Sequence, residues 1–326
     1  MSGIEESVLE ITGATAIQKI ESVQTLWSGY GTIKRYFLED GCQPSIIVKQ
    51  IDWGNENSHP RGWNTKLSHQ RKVRSYEVEK HWYGHHAKRT NNLCKIPKIF
   101  EAVEWESGAL LIMEDLDAVG YNIRLKPETI TVADAKNCLT WLANFHGLFM
   151  SSSPEGLWPI GTYWHLDTRP DEWNNMRHSE LKKIAGEIDS KLNNAKFQTI
   201  VHGDAKLANF CFTPDGNVAA VDFQYVGKGC GMKDVVYFIG SCFDDHQCEQ
   251  LESVLLDHYF NQLQKATHKT VDFQQVIVEW QSLYAYAWAD FYRFLDGWSP
   301  GHWKMHNYSI KLTEQVIEEI TNERTN

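Results

Sequence analysis

Apolar and polar positions change their period about a third of the way along the chain. Up to residue 113 the apolar residues come in short blocks separated by turn signals. After a short opening helix, segments 17–27, 32–38, 46–51, 98–105 and 109–113 have the alternation and length of strands. Ser28-Gly29-Tyr30-Gly31, Glu39-Asp40-Gly41 and Glu106-Ser107-Gly108 supply the turns. Residues 52–68 are polar and punctuated by Gly and Pro, as in a loop. Segment 70–86 has helical spacing, with Val78, Trp82 and His86 on one face. Past residue 116 the period lengthens. Segment 131–150 opens on a Thr start signal and places Leu139, Leu142, Phe145 and Phe149 at helical spacing. Further helices are expected at 171–194, 231–243, 245–265, 272–296 and 303–322. The pattern predicts an α+β protein of two parts: 1–115, a small antiparallel sheet with one helix, and 116–326, larger and mainly helical. The polar break Glu114-Asp115-Leu116 marks the boundary.

Residues 201–224, VHGDAKLANFCFTPDGNVAAVDFQ, carry the chemistry. His202-x-Asp204 precedes Asn209 by a few residues, and Asp222 follows a short hairpin. In that hairpin, Phe210-Cys211-Phe212 and Val218–Val221 flank a Pro-Asp-Gly loop. Pro presets the first turn position and Gly supplies positive φ. Counting back from the loop puts Asn209 roughly opposite Val221, next to Asp222, so two oxygen-bearing side chains converge at the open end, as Mg²⁺ requires. The preceding loop delivers Asp204 to the same end. The set suits phosphoryl transfer, with an aspartate to take the proton of the attacking hydroxyl and an Asn/Asp pair to hold metal.

Two features of the first part bear on phosphate binding. Ser28-Gly29-Tyr30-Gly31 fits a backbone phosphate lid, or equally a plain hairpin turn. Lys49 interrupts an apolar strand, where an unpaired ammonium would be costly. It is either an edge-strand lysine facing water or a buried one needing a carboxylate, for which Glu79 on the 70–86 helix is the choice. His146 is expected to be a core histidine.

Composition narrows the function class. The 326 residues carry a formal net charge of −10, which argues against a nucleic-acid partner. The first residues, MSGIEESVLE, lack signal-peptide features, and no apolar run approaches the ~20 residues of a membrane span. Seven cysteines, an odd number without Cys-x-x-Cys spacing, suggest buried free thiols. The expectation is a cytoplasmic enzyme with no membrane contact and no obligate protein partner.

HGDAKLANF, VDFQ and GCGMKDVVYFIG, with SYEVEKHWY and LLIMEDL before them, resemble the kinase-like phosphotransferases. Within that group, which holds the aminoglycoside phosphotransferases and choline/ethanolamine kinases, the pattern is closest to the ecdysteroid kinase-like proteins. The resemblance implies a protein-kinase-like two-lobed fold, a small antiparallel β-sheet N-lobe plus a mainly helical C-lobe. It also implies an ATP:alcohol phosphotransferase using Mg²⁺. Asp204 would then be the catalytic base, with Asn209 and Asp222 as metal ligands. Ser28, Gly29, Gly31 and Lys49, the last held by Glu79, would meet the nucleotide phosphates, and backbone around Glu114 to Leu116 would hold adenine. Lys206 would stand against the transferring phosphoryl group, while His202 and Asp234 would position the loop. Asp-Phe-Gln replaces Asp-Phe-Gly, the glycine loop is incomplete, and no Ala-Pro-Glu follows. Only 234 − 222 = 12 residues separate Asp222 from Asp234, too few for a peptide platform, so a small-molecule hydroxyl is the expected acceptor. The aromatic stripe Trp280, Tyr284, Trp288 with Asp290 is the expected acceptor wall, suiting an amino alcohol or a flat steroid-like alcohol, unless it is core packing. A protein kinase and a non-catalytic scaffold are the alternative readings.

Overall fold

The computed structural model of the chain describes residues 3–26, 29–53, 66–105 and 108–325. The opening helix α1 (Gly3–Thr12) is followed by strands β1 (Ala16–Thr25), β2 (Gly31–Glu39) and β3 (Ser45–Asp52). Helix α2 (Lys66–His81) comes next, then strands β4 (Ile99–Trp105) and β5 (Gly108–Glu114). The five strands form one sheet in the order β1-β2-β3-β5-β4, every neighbouring pair antiparallel. Two-residue periodicity decides what each face covers. Ile46 and Val48 turn to one side with Leu110 and Ile112, packing with Val8 of α1. Ile51 turns to the other side, beside Tyr76 of α2. Lys49 shares the parity of Ile51, and β3 is an interior strand, paired through Lys49 with Ile33 and Leu111. The edge-strand alternative for Lys49 is thereby excluded.

The remaining elements are mostly helical. Helices α3 (Val132–Leu148), α4 (Pro170–Asn174) and α5 (Ser179–Asn193) lead to strand β6 (Thr199–Val201). The hairpin of β7 (Phe210–Phe212) and β8 (Val218–Ala220) follows, then β9 (Gly227–Gly229), antiparallel to β6. Helices α6 (Met232–Cys242), α7 (Asp245–Ala266), α8 (Phe273–Ser282), α9 (Tyr284–Trp298) and α10 (Asn307–Thr325) complete the chain. Two compact units partition it. One comprises Met1–Arg89, Lys95–Arg124 and Cys211–Val221, the other Thr90–Cys94, Leu125–Phe210 and Asp222–Asn326. The hairpin joins the sheet-containing unit because Ala219 bridges to Lys95 and Phe212 to Ile123.

Several expected helices differ in extent. Segment 70–86 is α-helical only to His81 and then widens into one π turn, Trp82–His86. Segment 171–194 is two helices, because Asp296 takes the backbone N–H groups of Arg177 and His178 and holds the chain out of the ladder between them. Segment 272–296 is also two, broken at Leu283, whose ψ of −4° departs from the helical value. All seven cysteines are free and six are buried, which pushes the Cys211 thiol up to about 11 and the Cys230 thiol up to about 12.

Gly31 pairs with Ile51 at a φ of +141°, and a Cβ there would lie 2.0 Å from the Gln50 carbonyl oxygen. Gly31→Ala should therefore cost about 2–4 kcal/mol, read as a lower denaturation midpoint at unchanged slope. An unchanged midpoint would contradict this close approach.

Candidate active site

In the sheet unit, Lys49 Nζ donates to Glu79 Oε2 at 2.6 Å, with both side chains buried. Tyr76, one turn before Glu79 on α2, sets its ring 5.6 Å from the same ammonium. An i,i+3 pair on one helix face thus brackets the lysine. Gly29 adopts a φ of +75° and its N–H bonds the Leu26 carbonyl, while Leu26 N–H bonds Gly31. Gly29 and Gly31 therefore belong to a tight turn. Ser28 lies outside the described residues. At the end of β5, Glu114 Oε2 accepts from Lys95 Nζ at 2.5 Å and from Lys98 N at 3.1 Å. The Leu116 carbonyl closes a turn on Tyr121 N at 2.9 Å. Asp115, not singled out in the sequence, is buried and takes a two-pronged contact from Arg35 and a hydroxyl from Ser45. This network pins the strand exit.

In the helical unit, the loop after β6 is hung on one carboxylate. Asp234, in the first turn of α6, accepts from His202 N at 2.6 Å and Gly203 N at 2.9 Å. His146 of α3 gives it a third contact through Nε2 at 3.0 Å. With Nε2–H donating to Asp234, Nδ1 is left to accept from the Tyr259 hydroxyl at 2.8 Å. Gly203 has a φ of +79°, and a Cβ there would lie 2.1 Å from the Tyr225 carbonyl. The loop can pass only with a glycine at that point.

Asp204 follows immediately and is 5 % exposed. Its Oδ2 accepts from Lys206 Nζ at 2.8 Å and from Asn209 Nδ2 at 3.1 Å, and Asn209 Nδ2 also reaches the Asp204 carbonyl at 2.8 Å. Oδ1 accepts no hydrogen bond among the described residues. Burial works against the charge of Lys206, but Asp204 and then Asp222 more than offset it and raise its pKa. Asp222 therefore lies in the same electrostatic cluster. It holds a φ of +70°, a left-handed conformation that Asp tolerates better than most residues. Asp204, Lys206, Asn209 and Asp222 are thus brought together.

Three further groups at this cluster were missed. Burial raises the phenols of Tyr163 and Tyr237, and the charge of Asp204 adds to both shifts. Tyr237 was legible, being three residues from Asp234 and so on the same face of α6. Lys304, in the segment between α9 and α10, was not. It is 8 % exposed, its Nζ stands 4.4 Å from the centre of the Tyr237 ring, and it has no carboxylate within ion-pair distance among the described residues. Burial lowers its pKa to about 8, with Asp204 opposing the shift and Lys206 adding to it.

Of the two readings of the aromatic stripe, acceptor wall or core packing, the burial of its residues favours packing. Trp280, Tyr284, Trp288 and Asp290 are all at most 5 % exposed. Trp280 Nε1 bonds the Phe197 carbonyl, and its ring packs on Tyr259 and His146. The Tyr284 hydroxyl meets that of Tyr308, and the Trp288 ring lies edge-on to Tyr308 at 5.4 Å. Asp290 holds Arg293 and the Trp164 indole. These four residues build the core of the helical unit. The stripe is a packing face because α9 lies against α5, α6 and α10.

The Asn209 and Asp222 oxygens suit a hard divalent cation that draws its remaining ligands from phosphates and water. Asn209 fits this role because its Nδ2 is turned to Asp204, which directs its carbonyl oxygen elsewhere.

The ecdysteroid kinase-like family model matches residues 167–273, the stretch that holds this loop. The structure of the microcompartment-associated aminopropanol kinase is similar at a TM-score of 0.50, with 14% identity, covering 96% of this chain and 94% of that one. Choline kinase LicA from Streptococcus pneumoniae is similar at 0.52, with 12% identity, covering 98% of each chain. The chain has the kinase-like phosphotransferase fold. No curated protein matches it in sequence. Among the described residues of this kinase-like chain, no helix is long and apolar enough to cross a membrane.

Lys304 yields a stability prediction. Its folded pKa of about 8 lies below the ordinary 10.5, so the folded state binds this proton less tightly than the unfolded one. The native state therefore carries a penalty at neutral pH that fades as pH rises from about 8 towards 10.5. Lys304→Met should be more stable than the parent at pH 7 by up to roughly 3 kcal/mol. The gain should shrink to nothing at alkaline pH, as read by denaturation midpoints across pH.

Proposed function

We propose that this chain is an ATP- and Mg²⁺-dependent kinase that transfers the γ-phosphoryl group to a hydroxyl of a small molecule. The observation that carries this reading is the Asp204 carboxylate. One oxygen is occupied by Lys206 and Asn209, while the other accepts no hydrogen bond among the described residues. On that oxygen Asp204 would receive the acceptor hydroxyl, orient it and take its proton as the new O–P bond forms and ADP leaves. Lys206 would offset charge on the equatorial oxygens of the phosphoryl group. Asn209 and Asp222 would hold the metal, which supplies charge neutralisation across the phosphates. Lys49, oriented by Glu79, would contact the phosphates. Backbone at Gly29 and Gly31 would approach them, and the chain around Glu114 and Leu116 would meet adenine, although the Leu116 carbonyl already closes a turn.

A small acceptor is favoured by the segment after Asp222, which passes through β9 and enters α6 directly, leaving no length for a peptide-docking segment. The family description names ecdysteroids, and the two similar structures are kinases of aminopropanol and choline, so small alcohols are the class to test. The reading includes a division into lobes 1–115 and 116–326 and action in the cytoplasm.

The test is Asp204→Asn, which keeps the shape but cannot accept the proton. Incubated with Mg·ATP and a cell extract, the parent should add phosphate to a metabolite detectable by mass spectrometry. The variant should lose about 10³-fold in rate while calorimetry still shows Mg·ATP binding. Retained turnover in Asp204→Asn, or a parent that transfers label to peptides instead, would overturn this reading.

A further inference from the structure

We propose that Lys304 selects the charge of the acceptor: Asp204 serves hydroxyl compounds without an ammonium group and rejects those that carry one. The proposal rests on Asp204 being the base that meets the acceptor.

Three observations lead there. First, the Tyr237 ring, which interacts with Asp204, already faces a cation belonging to the chain. Lys304 Nζ lies 4.4 Å from the ring centre of Tyr237, 5.6 Å from Phe291 and 5.5 Å from Trp303. Cation–π attraction needs a π face open to the incoming charge; of the two rings that interact with Asp204, Tyr237 already faces Lys304 and Tyr163 faces the Arg169 guanidinium at 5.8 Å. Secondly, the carboxylates on or beside the aromatic stripe are committed to holding the fold. Asp290 is paired with Arg293, Asp296 accepts two backbone N–H groups at 177 and 178, and Glu279 accepts two at 196 and 197. Asp204 itself already holds Lys206. Thirdly, Lys304 is buried without an ion-pair partner among the described residues, an arrangement that lowers stability and that packing alone would not require. The charged groups that act on it are Asp204 and Lys206, since burial raises the Cys242 thiol and keeps it neutral. Two ammonium groups, Lys206 and Lys304, therefore act at one carboxylate, and a third positive charge would meet repulsion in a partly desolvated site.

The probe is a pair of alcohols of one shape: choline, and its uncharged carbon analogue with a tert-butyl group in place of the trimethylammonium. Binding to the Mg·ATP-loaded protein is measured by competition and calorimetry, alongside phosphate transfer to each. The parent should favour the uncharged compound by at least about tenfold. Lys304→Met should move the ratio towards choline by a similar factor, and Lys304→Arg should restore it. Loss of packing alone would weaken both compounds and leave the ratio in place. Equal affinity in the parent, a ratio unmoved in Lys304→Met, or no binding of either compound by parent and variant would each overturn the proposal. Transfer to choline as fast as to its analogue would sink the charge rule and leave the kinase reading standing. A shifted binding ratio with no transfer to any acceptor would do the reverse.

Discussion

One buried carboxylate sets the geometry on which the loop 202–209 depends. Asp234 is fully buried and would be costly there without partners, yet it receives two backbone N–H groups and an imidazole. Its place in the first turn of α6 adds the favourable end of the helix dipole. Because its donors come from residues 202 and 203, Asp204 is delivered in one orientation. Because His146 leans on Tyr259, the same carboxylate links α3, α6 and α7. The loop owes its position to this junction, and Gly203 permits the tight passage past Tyr225.

The two units treat their charges differently. In the sheet unit Lys49 is matched to Glu79, and Arg35 to Asp115, each at hydrogen-bond distance. Both ion pairs are satisfied before any ligand arrives, which fixes their side chains in place. In the helical unit Asp204 is only half satisfied and Lys304 is not paired within the described residues. Polar groups kept incomplete inside a well-packed core lower stability. The core that tolerates this is strongly aromatic, with Trp141, Trp164, Trp280 and Trp288 all fully buried.

The local features were legible from residue order. Strand and helix periods give the sheet and the later helices to within a few residues, and the Thr131 start signal is a capping box in the structure. The Pro-Asp-Gly loop closes as a turn, with Gly216 at a φ of +80° and its N–H on the Thr213 carbonyl. Helix breaks at 175–178 and at Leu283 were not legible. The first depends on Asp296 reaching back from far along the chain, and the second is a change of one backbone angle with no Gly or Pro to announce it. The aromatic stripe of 276–298 left two readings open for a related reason: spacing identifies a face, but burial depends on what packs against it.

Sequence alone determined the spacing of Asp204, Lys206, Asn209 and Asp222, because a short loop and hairpin bring neighbours together whatever surrounds them. It also narrowed Lys49 to an edge-strand lysine facing water or a buried one needing a carboxylate, since an ammonium inside an apolar strand has few alternatives. Only the tertiary structure decided that β3 is interior, that Trp280 and Trp288 face inward, and that Lys304 stands over the Tyr237 ring. Those outcomes come from contacts between residues distant in sequence, and side-chain burial is a property of the packed assembly that no local pattern contains.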